Sequence, residues 1–224
     1  MRTSKFRRLA LAGLLGIGLS TQAAAQLWGG DEHTPSLVVA PTSIQIDVPM
    51  PVSSGNLQLM LAQATTGGGL AELKQQAVRN YTQHLHSELA RELYEYLDDE
   101  EIPLVEQDGV LNLHNTLELK VIKHLNTMKP KDDYDLERGN VALSGEFRYT
   151  LKNRSGTALR EQRINIDDLK IQEQYLVRSY YDGRSGDDDT EEAIKKALSE
   201  LVEELVESME DNLEADQLRD MASL

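Results

Sequence analysis

The sequence predicts an α+β protein, a two-layer sandwich in which an antiparallel sheet carries two long helices packed on one face. Three observations predict it. Residues 70–97 and 194–213 place apolar side chains three and four apart, as amphipathic helices do. The stretches around 111–125 and 141–151 alternate apolar and polar residues with period two, the mark of strands with one dry face and one wet. Each stripe and each dry face needs cover, and two helices laid across one sheet face bury them all.

The chain begins with Arg2, Lys5, Arg7 and Arg8, an apolar run from Leu9 to Leu19, and then Ala23-Ala24-Ala25. A basic start, a short apolar centre and a small-residue cleavage point describe a secretory signal peptide over residues 1–25, cut before Gln26. The run is well short of the ~20 apolar residues of a spanning helix, so no transmembrane segment is expected in the mature chain. No cysteine stands at the cut, which excludes the lipid attachment of bacterial lipoproteins. Export and a cysteine-free chain together place the protein in a Gram-negative periplasm, with extracellular release as the other possibility.

Residues 26–36 (QLWGGDEHTPS) are polar and aperiodic and are expected to form a flexible N-terminal lead, with Trp28, the single Trp, tucked against the domain. A single α+β domain is expected over 37–215. Leu37 to Val48 reads as an extended segment interrupted by Pro41, and prolines at 41, 49 and 51 suit an edge strand. Leu57, Leu59 and Leu61 suggest another short strand before Gly67-Gly68-Gly69 and the first helix. That helix carries Leu70, Leu73, Ala77, Tyr81, Leu85, Leu89, Leu93 and Leu97 on one face.

Ile102 to Val105 is expected as a short strand turning at Asp108-Gly109 into a long strand with Leu111, Leu113, Leu117, Leu119, Val121 and Leu125 inward. Residues 129–138 read as a charged loop. A hairpin follows, turning at Asn153-Arg154-Ser155-Gly156, and its phase slips near Asp167-Asp168 as at a bulge. The second helix starts at Asp187-Asp188-Asp189-Thr190 with the spacing of a capping box to Glu191 or Glu192. Residues 216–224 are expected to fray as a C-terminal tail.

The element order resembles that of small periplasmic envelope accessory proteins, such as the lipopolysaccharide-assembly lipoprotein or the amino-terminal domain of the Tol-system propeller protein. The resemblance spans most of the mature chain and rests on element order; no motif or residue carries over. The chain departs from the lipoprotein in lacking its lipidated Cys.

Charge and motifs exclude more than they assign. The 224-residue chain has a formal charge of −15, and losing the four basic residues of the signal peptide makes it more acidic still. Such a balance disfavours nucleic acid and anionic membrane surfaces, and it serves solubility. The absence of Cys excludes thiolate catalysis and Cys-based metal sites. His84 and His86, two apart on a helix, point to nearly opposite sides, and His114 and His124 are too far apart on one strand to chelate together. The acidic run from Asp182 to Glu192 fails the calcium-loop pattern, because Arg184 and Gly186 stand at two of its ligand positions. The glycines at 67–69 lack the Lys of a phosphate loop, and no Gly-x-Ser-x-Gly is present.

No catalytic residue, cofactor or metal ligand is therefore assigned. The expected function is that of an exported periplasmic non-enzymatic binding or scaffold protein, an accessory to an envelope assembly or transport system, whose partner is another envelope protein. Its contact face is expected at Glu146, Arg148, Thr150 and Lys152, on the wet side of the hairpin. A carrier holding a small or lipidic ligand between helices and sheet is the alternative, and a periplasmic hydrolase the third reading.

Overall fold

A computed structural model describes residues 34–51 and 69–223. The signal peptide, the lead as far as His33 with Trp28, the strand expected at 57–62, and Gly67 and Gly68 lie outside the described residues.

Within them the chain runs β1 (Leu37–Val39), β2 (Ser43–Asp47), α1 (Gly69–Asp99), β3 (Leu111–Pro130), β4 (Tyr134–Asn153), β5 (Ala158–Asn165), the single turn α2 (Ile166–Leu169), β6 (Gln172–Tyr180), α3 (Thr190–Leu213) and α4 (Ala215–Ala222). The α+β sandwich with both long helices on one face is the observed architecture, but the sheet is mixed rather than wholly antiparallel. Both β1 and β2 pair parallel to β3, with Leu37 opposite Leu111 and Asp47 opposite Lys120. The cause is α1, whose 31 residues span about 46 Å at 1.5 Å per residue. It returns the chain to the end where β1 began, and adjacent strands joined by a helical crossover run parallel.

The six strands amount to four lanes. β1 and β2 share one side of β3, split at Ala40–Thr42 where Pro41 cannot donate to a ladder. β5 and β6 share the far side of β4, and α2 sits between them. The phase slip is therefore absorbed by a helical turn closed by Lys170 in the left-handed region, not by a simple bulge.

The odd-numbered residues of β3 from Leu111 to Val121 and of β4 from Val141 to Leu151 point to the helices and form the core with Tyr81, Leu85, Leu89, Leu93 and Leu97 of α1. Ten residues of α3, from Ala193 to Leu213, complete it. α1 and α3 lie side by side and run in the same direction. His84 Nε2 meets Ser199 Oγ at 3.2 Å, and one turn short of the helix ends Tyr96 donates to the Glu210 carbonyl at 3.0 Å.

Other local expectations are revised. Ile102 to Val105 makes no hairpin with β3. Instead Leu104 bridges to Leu37, because the Leu37 N–H finds the Pro103 carbonyl at 2.9 Å. The charged loop at 129–138 is mostly strand, with β3 and β4 paired out to Pro130 and Asp135. Leu125 is 56 % exposed there, since the hairpin outruns the helices that would cover it. The frayed tail is corrected too: Ala215–Ala222 is a helix with Leu218 and Met221 buried, which a stripe of two residues is too short to announce. At the start of the domain, Thr34 and Ser36 are held by Arg219 and by the backbone N–H groups of Val110 and Leu111.

Candidate functional site

The four residues expected as a contact face lie on β4, pointing away from the helices. Glu146 stands opposite Glu118 of β3 and Asn165 of β5, Arg148 opposite Thr116 and Arg163, Thr150 opposite His114 and Glu161, and Lys152 opposite Asn112. No described element covers this side of the sheet. Two of the four are already engaged, because Arg148 reaches Glu146 at 2.7 Å and Glu161 at 3.9 Å while Arg163 reaches Glu161 at 3.5 Å. Exposed pairs of this kind contribute about 0–1 kcal/mol each. Thr150 and Lys152 make no side-chain hydrogen bond or ion pair among the described residues. Burial, then the nearby Lys152 ammonium, holds His114 below its ordinary pKa, so it stays neutral on this face.

Formal charge is divided between the layers. α3 has eight acidic residues against two lysines, and α1 has six against three basic ones. Between the last turns of these parallel helices runs a groove lined by Glu92, Glu95, Asp99, Glu203, Glu207 and Glu210. The bare side of the sheet holds Lys120, Lys129, Arg138, Lys152 and Arg163 among fewer carboxylates.

At the opposite, N-terminal ends of α1 and α3 a cleft of about 420 Å³ opens between helices and sheet. Pro49, Met50, Leu73, Ala77 and Ile194 form its apolar wall, and Gln76, Asn80, Tyr81, Asp188 and Glu191 supply polar groups. Desolvation, with Glu191 and Asp188 adding negative charge, pushes the Tyr81 phenol up to about 12. Lys123 forms part of the lining. Its ammonium lies 3.0 Å from the buried Glu137 carboxylate and 4.3 Å from the centre of the Tyr175 ring, whose hydroxyl donates to Glu137 at 2.9 Å. Burial, then that hydrogen bond, raises the Tyr175 pKa. Gly139 makes room for the ring, since a Cβ there would stand 2.5 Å from it and 2.0 Å from the His124 carbonyl oxygen. Sequence reasoning missed this trio. Its signal was an ionisable residue in an inward position: Lys123 shares the phase of Val121, and Glu137 that of Val141.

The acidic run before α3 is structural. Asp189 is the N-cap residue, but its carboxylate takes the Leu176 N–H at 2.5 Å instead of capping. Asp188 accepts from Thr190 N–H, and Asp187 pairs with Arg178 at 2.6 Å. The expected capping box is thus replaced by a strap along the outer edge of β6. Gly186 permits the approach, where a Cβ would meet the Arg178 carbonyl oxygen at 1.8 Å. The carboxylates diverge, and no cluster of three or more His, Cys, Asp or Glu suited to a metal is found among the described residues. Ser199 Oγ bonds both His84 Nε2 and the Glu88 carboxylate, so the carboxylate engages the hydroxyl and does not orient the imidazole. The arrangement ties two helices together and lacks the relay order of a nucleophilic triad.

The described residues thus form a sheet with one bare face, backed by two acidic helices. Comparison with known proteins supports this fold. No family model matches the chain, and no curated protein matches it. Among solved structures, a neuraminyllactose-binding hemagglutinin homolog from Helicobacter pylori is similar at 11% identity and TM-score 0.51, covering 85% of this chain and 91% of that one. A minor lipoprotein from Acinetobacter baumannii (11% identity, TM-score 0.30, covering 83% and 94%) and lipoprotein GNA1162 from Neisseria meningitidis (13%, 0.20, 79% and 99%) align over similar lengths with too little geometric agreement to build on. No helix among the described residues is long and apolar enough to cross a membrane.

Proposed function

We propose that this chain is an exported, non-enzymatic binding or scaffold protein of the bacterial envelope, an accessory to an assembly or transport system. It docks another envelope protein on the side of the sheet that its helices leave bare. The observation that carries the reading is the one-sided sandwich itself: every described helix packs with the core face, while Thr150, Lys152 and their neighbours on β3 and β5 have no cover among the described residues. A flat, polar and mostly compensated face suits protein contact better than chemistry, which needs converging groups in a recess. The leader at residues 1–25 supplies the export that brings the protein to such partners.

Mild crosslinking in periplasm followed by capture tests the reading. Wild-type protein enriches a defined partner, and Thr150→Glu with Lys152→Glu loses it while unfolding at an unchanged temperature. Recovery of a clean monomer with nothing enriched defeats the proposal.

The cleft beside Tyr81 and Lys123 favours a second reading, the carrier of a small or lipidic ligand, because its volume falls within the roughly 300–1,000 Å³ usual for ligand sites. Native mass spectrometry of protein purified from its own host separates the two, since a carrier arrives with added mass.

A further inference from the structure

β3 outruns its parallel neighbour. β2 ends its pairing at Lys120, and Pro49 and Pro51 follow, which lack the N–H groups that would extend the ladder. From Val121 to Pro130, the second half of β3 pairs with β4 alone among the described residues. Elsewhere the fold closes its edges. Leu104 bridges along β1, and Asp187 and Asp189 strap the outer edge of β6 through Arg178 N–H at 2.8 Å and the Leu176 carbonyl at 3.2 Å. The remaining outer edges, on β2 and β5, are short: five residues between Pro41 and Pro49, and eight that include Arg160, Glu161 and Arg163.

The open half of β3 has two distinct sides. On the bare side of the sheet stand His124 and, past a register shift between Leu125 and Thr127, Lys129, with Arg138 one strand further in. Neither Lys129 nor Arg138 has an ion-pair partner among the described residues. On the helix side stand Leu125, 56 % exposed, and Met128, 45 % exposed, beyond the reach of the helices. Among the described residues an acidic chain has therefore placed together a backbone edge without a strand partner, Lys129 and Arg138, and two bare apolar side chains.

We propose that this half of β3 receives an extended segment of the partner protein as an added strand, and that the segment alternates acidic and apolar residues. Main-chain hydrogen bonds would supply affinity and the alternation specificity, with carboxylates over His124 and Lys129 and apolar groups over Leu125 and Met128. The register shift at Asn126 and the terminal Pro130 limit the added strand to a few residues on either side. The proposal rests on the docking reading above and adds to it a second contact, at the end of β3 away from Thr150 and Lys152.

The test uses the full mature protein and a synthetic ten-residue peptide alternating Glu and Val, followed by amide hydrogen exchange and fluorescence anisotropy. In the free protein, outward amides of residues 122–129 exchange rapidly; the peptide protects them. Binding weakens with salt, and roughly tenfold with Lys129→Glu, a charge reversal at the contact. N-methylation along one edge of the peptide abolishes binding, and along the other leaves it intact. A block-ordered peptide of the same composition that binds equally well overturns the proposal. So does protection of 122–129 in the free protein, which means that the chain closes its own edge. A concentration-dependent dimer lost in Lys129→Glu gives the edge to a second copy and also overturns it. Failure of the peptide with retained, Lys152-dependent partner capture removes the edge proposal and leaves the docking reading standing; failure of both removes both.

Discussion

Asn115 is the least comfortable residue in the core, and replacing it should strengthen the protein. It sits on the helix side of β3 between Leu113 and Leu117, opposite Tyr149, and is 3 % exposed. Neither its side-chain nitrogen nor its oxygen has a hydrogen-bond partner. Tyr149 could have served, but its hydroxyl is committed to Gln162 and Asn212, at 2.7 Å each. Burying an unpaired amide costs roughly 1–3 kcal/mol by mutational data. Asn115→Val removes that cost, stays close in volume and places a β-branched residue in a strand. The expected gain is about 2 kcal/mol. With an m-value of about 2 kcal/mol per molar urea, the midpoint rises by about 1 M at unchanged m. The melting temperature rises by about 4–8 °C for a domain of this size. Asn115→Asp, which buries an unpaired charge, moves both in the other direction. A midpoint for Asn115→Val equal to or below wild type refutes the reasoning and shows that the amide has a partner in solution.

Three other substitutions probe the helices and the tyrosines. Alkali should unfold the protein: Tyr81 is raised from 10.0 to about 12, so its contribution is complete below pH 10 and is lost as pH climbs from there through 12, and Tyr81→Phe should flatten the urea midpoint over that range. Leu218→Ala should lower stability by about 2–4 kcal/mol in equilibrium unfolding, because Leu218 is wholly buried in α4, and a null effect would restore the frayed tail. Glu207→Lys, in the acidic groove at the C-terminal ends of two parallel helices, should add about 0.5–1 kcal/mol by relieving like-charge repulsion and opposing the helix dipoles. Its melting temperature should respond to added salt less than that of wild type, as differential scanning calorimetry would show.

The period of the apolar residues determined which side of each helix and strand is dry, because burial needs only a residue's own repeat and a partner surface of any kind. Leu85, Leu89 and Leu93, and Leu111, Leu113 and Leu117, are buried where their spacing put them. For the same reason the outward phase of Glu146, Arg148, Thr150 and Lys152 was legible. Pairing was not, because backbone hydrogen bonds carry no residue label. That β1 and β2 run parallel to β3 follows from the direction in which α1 returns the chain. That Lys123, Glu137 and Tyr175 share one floor follows from the register of three strands. The C-terminal helix depended on a core surface that takes Leu218 and Met221, and the reach of β3 beyond β2 among the described residues on where β2 stops. Local pattern chose the faces, and only the assembled sheet decided which groups meet across it.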